Sequence, residues 1–288
     1  MFDAVARPYF IAHKDVFKNL ATCGVGGPMA QRIEDEKLLA VGPDLIISLY
    51  EDASLAKALE QKVGAPVITL RYGTKGVFDE ALADSISLLG KVLALDSKAQ
   101  TLLNFINAEK EAIENRVKDS VPTKKAYICG LGNWGTTNEL MTAQNYEPFK
   151  VANINNVISD LVKDGIQAID QEKFASIADY IDLIFIDAAA IKNISSLEVF
   201  KDTKAYKNGE IYLQMAYNAY YTNIEIALIN TWFNAKCYYP ELFMDIDMTA
   251  KTNEITKAFL GQELAEEIFS YKYSFNGYQK IDLATFGK

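Results

Sequence analysis

The chain has 288 residues, half of them apolar, with 38 acidic against 29 basic side chains and a net charge of −9. That length supports two ordinary domains with cores of their own, and the acidic balance excludes a nucleic-acid partner, which needs a basic stripe. No run of about 18 apolar residues is present to span a bilayer. The start, Met1-Phe2-Asp3-Ala4, has neither the basic opening nor the apolar stretch of a signal peptide, so the chain reads as cytoplasmic or as lacking its leader.

The first thirty residues read as irregular and end in the turn-rich Cys23-Gly24-Val25-Gly26-Gly27-Pro28. A helix is predicted over 34–41. Pro43-Asp44 then introduces Leu45-Ile46-Ile47-Ser48-Leu49, a short Ile-rich run that reads as a buried parallel strand. Residues 54–63 are helical until Gly64-Ala65-Pro66 breaks them, 67–70 form the next strand, and 78–94 form an amphipathic helix. From 97 to about 117 there is neither Gly nor Pro. Leu102, Phe105, Ile106, Ala112, Ile113 and Val117 recur there at helical spacing, so one helix about 30 Å long is expected as a spine joining two lobes. Strands then follow at 126–129, 183–186 and 211–213. Residues 157–162 read as helical, and a helix over 223–239 is closed by Pro240. Strands alternating with helices predict an α/β fold with parallel sheets.

Only one histidine is present, His13, in a polar stretch that reads as surface. Triads and imidazole metal sites are thereby excluded. Cys23, Cys129 and Cys237 are far apart with no CxxC, and read as buried apolar thiols rather than as a zinc site or a disulfide framework. Gly130-Leu131-Gly132-Asn133-Trp134-Gly135 matches G-x-G-x-x-G after a strand, which raises a nucleotide-binding cytoplasmic enzyme. Trp134 crowds the pyrophosphate approach, and no clean helix with a second acid-ended strand follows.

Two segments echo each other. Ile33-Glu34-Asp35-Glu36-Lys37 through Val41 leads to Asp44-Leu45-Ile46, and Ile169-Asp170-Gln171-Glu172-Lys173 through Ile177 leads to Asp182-Leu183-Ile184, with two extra residues before the second Asp. Each copy sets a Glu, Glu36 or Glu172, at the first turn of a short helix, where the positive helix end suits an anion.

The stretch from Glu36 to Ile47, E-K-L-L-A-V-G-P-D-L-I-I, resembles the signature of the extracytoplasmic substrate-binding proteins of ABC importers for iron–siderophore complexes, haem and cobalamin. Gly64-Ala65-Pro66-Val67-Ile68 and Leu88-Leu89-Gly90-Lys91-Val92-Leu93 are similar to further motifs of that family. The resemblance implies two Rossmann-like lobes joined by one long helix, with cargo in a cleft between them: an N-terminal lobe over 1–93, the interlobe helix over 94–121 and a C-terminal lobe over 122–288. It implies a monomeric binding protein without cofactor, not an enzyme, working outside the cytoplasm and membrane-anchored as a lipoprotein in full length. Its partners are then a permease with its ATPase, and Glu36 and Glu172 match the family's permease-docking pair. Against the family pattern, a strand–helix unit before Gly24 is missing.

Ligands of open α/β sheets sit beyond the carboxyl ends of the strands. That rule selects Tyr50, Arg71 and Tyr72 in the first half, and Asn133, Trp134, Asp187, Tyr217, Tyr220 and Tyr221 in the second. Arg71 directly follows an apolar strand, where a guanidinium pairs either with an anionic chelate or with a structural carboxylate. Trp134 either stacks on a flat ligand or covers the local core. The tyrosines line the cleft or ligate iron, with packing the role of at least one. The expected cargo is an iron chelate. Molybdate or tungstate, haem and cobalamin are the alternatives, and no directly bound metal is assigned.

Overall fold

The computed structural model describes residues 7–25, 32–49, 52–73, 76–132, 138–159, 161, 165–190, 194, 197–216, 218–219, 221–270 and 277–283. The chain divides into two compact units, one made of Met1–Ala12 with Asn104–Lys288 and the other of His13–Leu103.

In chain order, helices α1 (Pro8–Ala12) and α2 (Lys14–Asn19) come first. They correct the expectation of an irregular start. Both are too short to show a periodicity, and α1 is fixed by packing beside later helices, with Phe10 buried. Strands β1 (Gly24–Val25) and β2 (Arg32–Ile33) pair antiparallel. Helix α3 (Asp35–Val41) follows and stops where Gly42 takes the left-handed conformation.

Strand β3 (Ile46–Leu49) leads to α4 (Ala53–Val63), whose N-cap Asp52 accepts from Ser54 N and Leu55 N at 2.8 Å each. The hydroxyl and amides of this cap hold the Asp52 carboxyl below the usual range. Strand β4 (Val67–Leu70) lies parallel to β3, as its βα connection requires. The pair is only half covered, with Ile47 exposed, so β3 is parallel but not the fully buried strand its composition predicts. Helix α5 (Glu80–Val92), capped by Asp79, ends at a tight turn into α6 (Asp96–Val117). At that turn Gly90 is obligatory: a Cβ there would lie 2.6 Å from the Cβ of Ala99. Helix α6 is one unbroken helix of 22 residues, roughly 33 Å at 1.5 Å per residue, as predicted.

Strand β5 (Ala126–Cys129) is followed by β6 (Met141–Ala143), α7 (Glu147–Val151) and β7 (Ile166–Ala168), with β6 and β7 forming an antiparallel pair. Residues 157–159 and 161 are turns, not the helix predicted over 157–162. Asn156 bridges to Ala126 beside β5, and its amide donates to the carbonyls of Ala143 and Gln144. Side-chain capture of backbone carbonyls competes with a helix at such a position.

Helix α8 (Gln171–Ile177) continues into a 3-10 turn at Ala178–Tyr180 before β8 (Leu183–Asp187). That turn, in place of the glycine cap that ends α3, accounts for the two extra residues of the second echo. Helix α9 (Lys204–Lys207) precedes β9 (Ile211–Gln214). A small hairpin follows, β10 (Asn218–Ala219) with β11 (Tyr221–Thr222), and then α10 (Ile224–Tyr238). Helices α11 (Met248–Leu260) and α12 (Ala265–Ser270) and the edge strand β12 (Gln279–Lys280) complete the order.

The larger unit is built on a four-stranded sheet, β12-β9-β8-β5, in which β5, β8 and β9 are parallel and β12 runs antiparallel at the edge. Strands β5 and β8 are buried at every position. A run of ring contacts, Tyr146–Phe149–Phe185–Tyr212–Phe233–Tyr278, crosses this core at centroid distances of 4.7–6.2 Å. Helix α10 is apolar on nearly every face and lies almost wholly buried.

The part of α6 beyond Asn104 is fastened to this unit. Arg116 makes a bidentate pair with Asp245 at 2.7 and 2.8 Å and donates to the Leu242 carbonyl. Buried Glu109 accepts from Trp232 Nε1 at 2.7 Å and pairs with Lys251 at 3.2 Å. The fold is mixed α/β with parallel sheets, as the alternation predicts. Of the three cysteines only Cys129 is fully buried. Cys237 is half-buried and Cys23 is exposed beside β1, which corrects the reading of all three as core thiols.

Candidate functional site

In the smaller unit the rim at the carboxyl ends of β3 and β4 is carried by Arg71 and Tyr72. Tyr50 lies outside the described residues. Arg71 is exposed, and its backbone is held on both sides by one side chain of α5. The Arg71 N–H donates to Ser85 Oγ at 2.9 Å, and Ser85 Oγ donates to the Arg71 carbonyl at 2.6 Å. Its guanidinium makes no ion pair with a carboxylate among the described residues. The base of the side chain is therefore fixed while no carboxylate among the described residues holds its cationic head, the arrangement that an anion-recognising arginine needs. Tyr72 beside it is half-buried.

In the larger unit the carboxyl end of β5 is Gly130. It sits at φ +79°, and a Cβ there would lie 2.5 Å from the Cβ of Ala190. The glycine lets the loops after β5 and β8 approach each other. Asn133 and Trp134 lie outside the described residues. The chain resumes at Asn138 in a turn leading to the antiparallel β6, not in the helix that a dinucleotide-binding turn requires. Asp187 ends β8 beneath this rim. It is 1% exposed, and its Oδ1 accepts from Ala189 N at 2.9 Å, closing the turn. Tyr217 and Tyr220 also lie outside the described residues, and of Tyr221 the structure describes its backbone pairing with Ala219. Nearby Asn153 and Asn156 have structural engagements: Asn153 donates to the Ser120 carbonyl, and Asn156 is held as above.

Beneath the loops after β9 lies a set of polar side chains that the rule of strand ends does not select. Gln214, the last residue of β9, donates to the Tyr146 hydroxyl at 2.7 Å while its own Oε1 finds no donor among the described residues. Asn230 is engaged at both ends, donating to the Met215 carbonyl and accepting from the Tyr278 hydroxyl. Asn223 at the N-cap of α10 and Glu225 in its first turn are buried, and Asn223 Nδ2 and Glu225 Oε1 have no hydrogen-bond partner among the described residues. Burial raises the Glu225 carboxyl to about 7. A signal for these residues exists in the sequence. A helix apolar all round must be buried, so Asn223, Glu225, Asn230 and Asn234 within it must be buried too. Among the described residues no three His, Cys, Asp or Glu side chains converge where they could hold a metal ion.

Glu36 and Glu172 occupy the same place in the two echoing helices, the second residue of α3 and of α8. Both are exposed. Among the described residues no helix is long and apolar enough to cross a membrane.

The periplasmic binding protein family model matches residues 4–216, well over half of the chain. Three solved structures share the fold. A periplasmic solute binding protein from Veillonella parvula is 16% identical with a TM-score of 0.71, the match covering 92% of this chain and 80% of that one. The molybdate periplasmic binding protein of a Haemophilus influenzae ABC transporter, with molybdate bound, is 17% identical with a TM-score of 0.66, over 88% and 82%. A TroA-like periplasmic binding protein from Veillonella parvula is 20% identical with a TM-score of 0.64, over 88% and 79%. No curated protein matches the sequence. The matched model spans the echoing helices, the rim of Arg71 and three of the four core strands, and on that ground the chain belongs to the periplasmic binding protein family, the solute-binding partners of ABC importers, and is not an enzyme.

Proposed function

We propose that this protein captures an anionic iron chelate of the siderophore type and delivers it to an ABC permease, from an extracytoplasmic position at which the full-length protein is membrane-anchored. The observation that carries the reading is Arg71: a guanidinium at the carboxyl end of β4 with its backbone clamped by Ser85 and no carboxylate partner among the described residues. Such a group recognises catecholate, carboxylate or oxyanion oxygens by charge-assisted hydrogen bonds. In this reading Tyr50, Tyr72, Asn133, Trp134, Tyr217, Tyr220 and Tyr221 supply the aromatic and amide contacts, and Asp187 supports the loop after β8. The domain division belongs to the same reading: a lobe over 1–93, an interlobe helix over 94–121 and a lobe over 122–288. Exposed Glu36 and Glu172 dock the permease, one anion from each echoing helix.

A small oxyanion such as molybdate or tungstate is the second reading. Its support is the amide donor of Asn223, which has no partner among the described residues, together with the fold shared with a molybdate-binding protein. Native mass spectrometry against ferric siderophores, haem, cobalamin and molybdate separates these cargoes. A 1:1 ferric-chelate complex is expected, and silence across the whole panel refutes the transport reading. Replacing Glu36 and Glu172 together by Ala should impair uptake with cargo affinity unchanged. A loss of affinity would refute their docking role.

A further inference from the structure

The larger unit has a second recess, at the opposite rim of its sheet from the loops discussed above. It has a volume of about 480 Å³, within the range of small-molecule sites. Lys124 precedes β5 and Glu210 precedes β9, so this recess opens at the amino ends of the parallel strands, where the C-terminal half of α10 and the edge strand β12 meet them.

Its floor is aromatic. Phe233 packs against Tyr278 at 4.7 Å and edge-on against Tyr212 at 6.2 Å, and Met248 of α11 also lines the recess. Its charge is one-sided. Lys124, Lys236 and Lys280 line it against a single carboxylate, Glu210. Lys280 is matched by that carboxylate at 2.7 Å, whereas Lys236 donates to a neutral partner, the Phe243 carbonyl, and Lys124 makes no ion pair among the described residues. Burial alone raises the Glu210 carboxyl, but the bonds from Lys280 and Tyr212 outweigh it and hold it low, so it stays ionised and keeps Lys280 occupied. Lys124 and Lys236 thus have no carboxylate at ion-pair distance among the described residues, Glu210 and Asp245 acting on them only at longer range, and they stand beside an aromatic floor on a chain whose net charge is −9.

We propose that this recess is a second ligand site, separate from the cargo loops, that takes a small flat anion: an aromatic carboxylate or sulfonate. The ring lies against the accessible edges of Tyr212 and Tyr278, and the acid group reaches Lys124 and Lys236. The aromatic edges supply apolar contact, and the two ammonium groups supply charge-assisted hydrogen bonds that a neutral ligand forgoes.

The test is calorimetric titration of the full chain with naphthalene-2-carboxylate, beside the neutral naphthalene-2-carboxamide. Saturable 1:1 binding of the carboxylate is expected, weakened by salt, with the amide weaker by about tenfold or more, the worth of a charged hydrogen bond. Lys124→Gln with Lys236→Gln should bring the carboxylate down to the affinity of the amide. Met248→Trp, with its fold checked by circular dichroism, should block both ligands by filling the recess. Equal affinities for acid and amide would reduce the recess to an apolar crevice and overturn the proposal. So would binding indifferent to all three substitutions, which places the ligand elsewhere, or no saturable binding at all. Cargo affinity should not change in the lysine variants, which separates this site from the one containing Arg71.

Discussion

Glu225 offers the sharpest quantitative prediction. It sits in the first turn of α10, 7% exposed, with one carboxylate oxygen lacking any partner among the described residues, and burial raises it from 4.5 to about 7. At 1.36 kcal/mol per unit, holding this carboxyl ionised in the folded protein costs about 3 kcal/mol relative to the unfolded chain. Below pH 4.5 the group is protonated in both states and its burial is fully tolerated. As pH rises from 4.5 to about 7 the unfolded chain releases the proton while the folded chain retains it, so stability falls across that window and levels off above it. Glu225→Gln removes the titration and keeps the shape. Urea unfolding of both proteins at pH 4.5, 6 and 8 should therefore show the wild type losing about 3 kcal/mol more than the variant over the range. Parallel pH profiles for the two proteins would mean that Glu225 is solvated or paired in solution, and the reasoning about an orphaned carboxyl beneath the β9 loops would be wrong.

Three further substitutions probe the fold and the site. Glu109→Ala leaves the Trp232 indole N–H buried without its acceptor and Lys251 with Glu254 alone, and should cost about 1–3 kcal/mol in chemical denaturation. A loss below about 1 kcal/mol would show the pair to be solvated. Gly130→Ala forces a side chain into positive φ and onto Ala190, and should lower stability by about 1–3 kcal/mol with a fall in melting temperature. An unchanged melting temperature would contradict the close approach of the β5 and β8 loops. Arg71→Gln, which keeps the Ser85 clamp on the backbone, should weaken binding of the anionic cargo about tenfold to a hundredfold without loss of stability. Intact affinity would remove Arg71 from the site.

The elements legible in the sequence are those whose pattern is local. β4 and β5 are apolar runs between breakers, α6 is a long stretch free of Gly and Pro, and α3 and α8 carry acidic first turns before their strands. The echo of Glu36 and Glu172 was legible too, because a repeated residue order at a helix start needs no tertiary context. The rest depends on partners distant in the chain. β6 and β7 are three residues each and exist by pairing with each other, and α1 is held by α11 and α12. No periodicity can announce segments that short. The predicted helix over 157–162 gave way because Asn156 binds carbonyls that only the folded chain brings near it.

For the site, the sequence determined which strand ends carry candidate ligands and that Arg71 follows one of them. Tertiary structure decided that Arg71 has no carboxylate partner among the described residues, that Asp187 is buried and closes the turn after its strand, and that Asn223 and Glu225 are buried with atoms that find no partner among the described residues. Those are statements about solvent and partners. Burial and pairing are properties of the packed chain, whereas strand, cap and helix are mostly properties of its neighbouring residues.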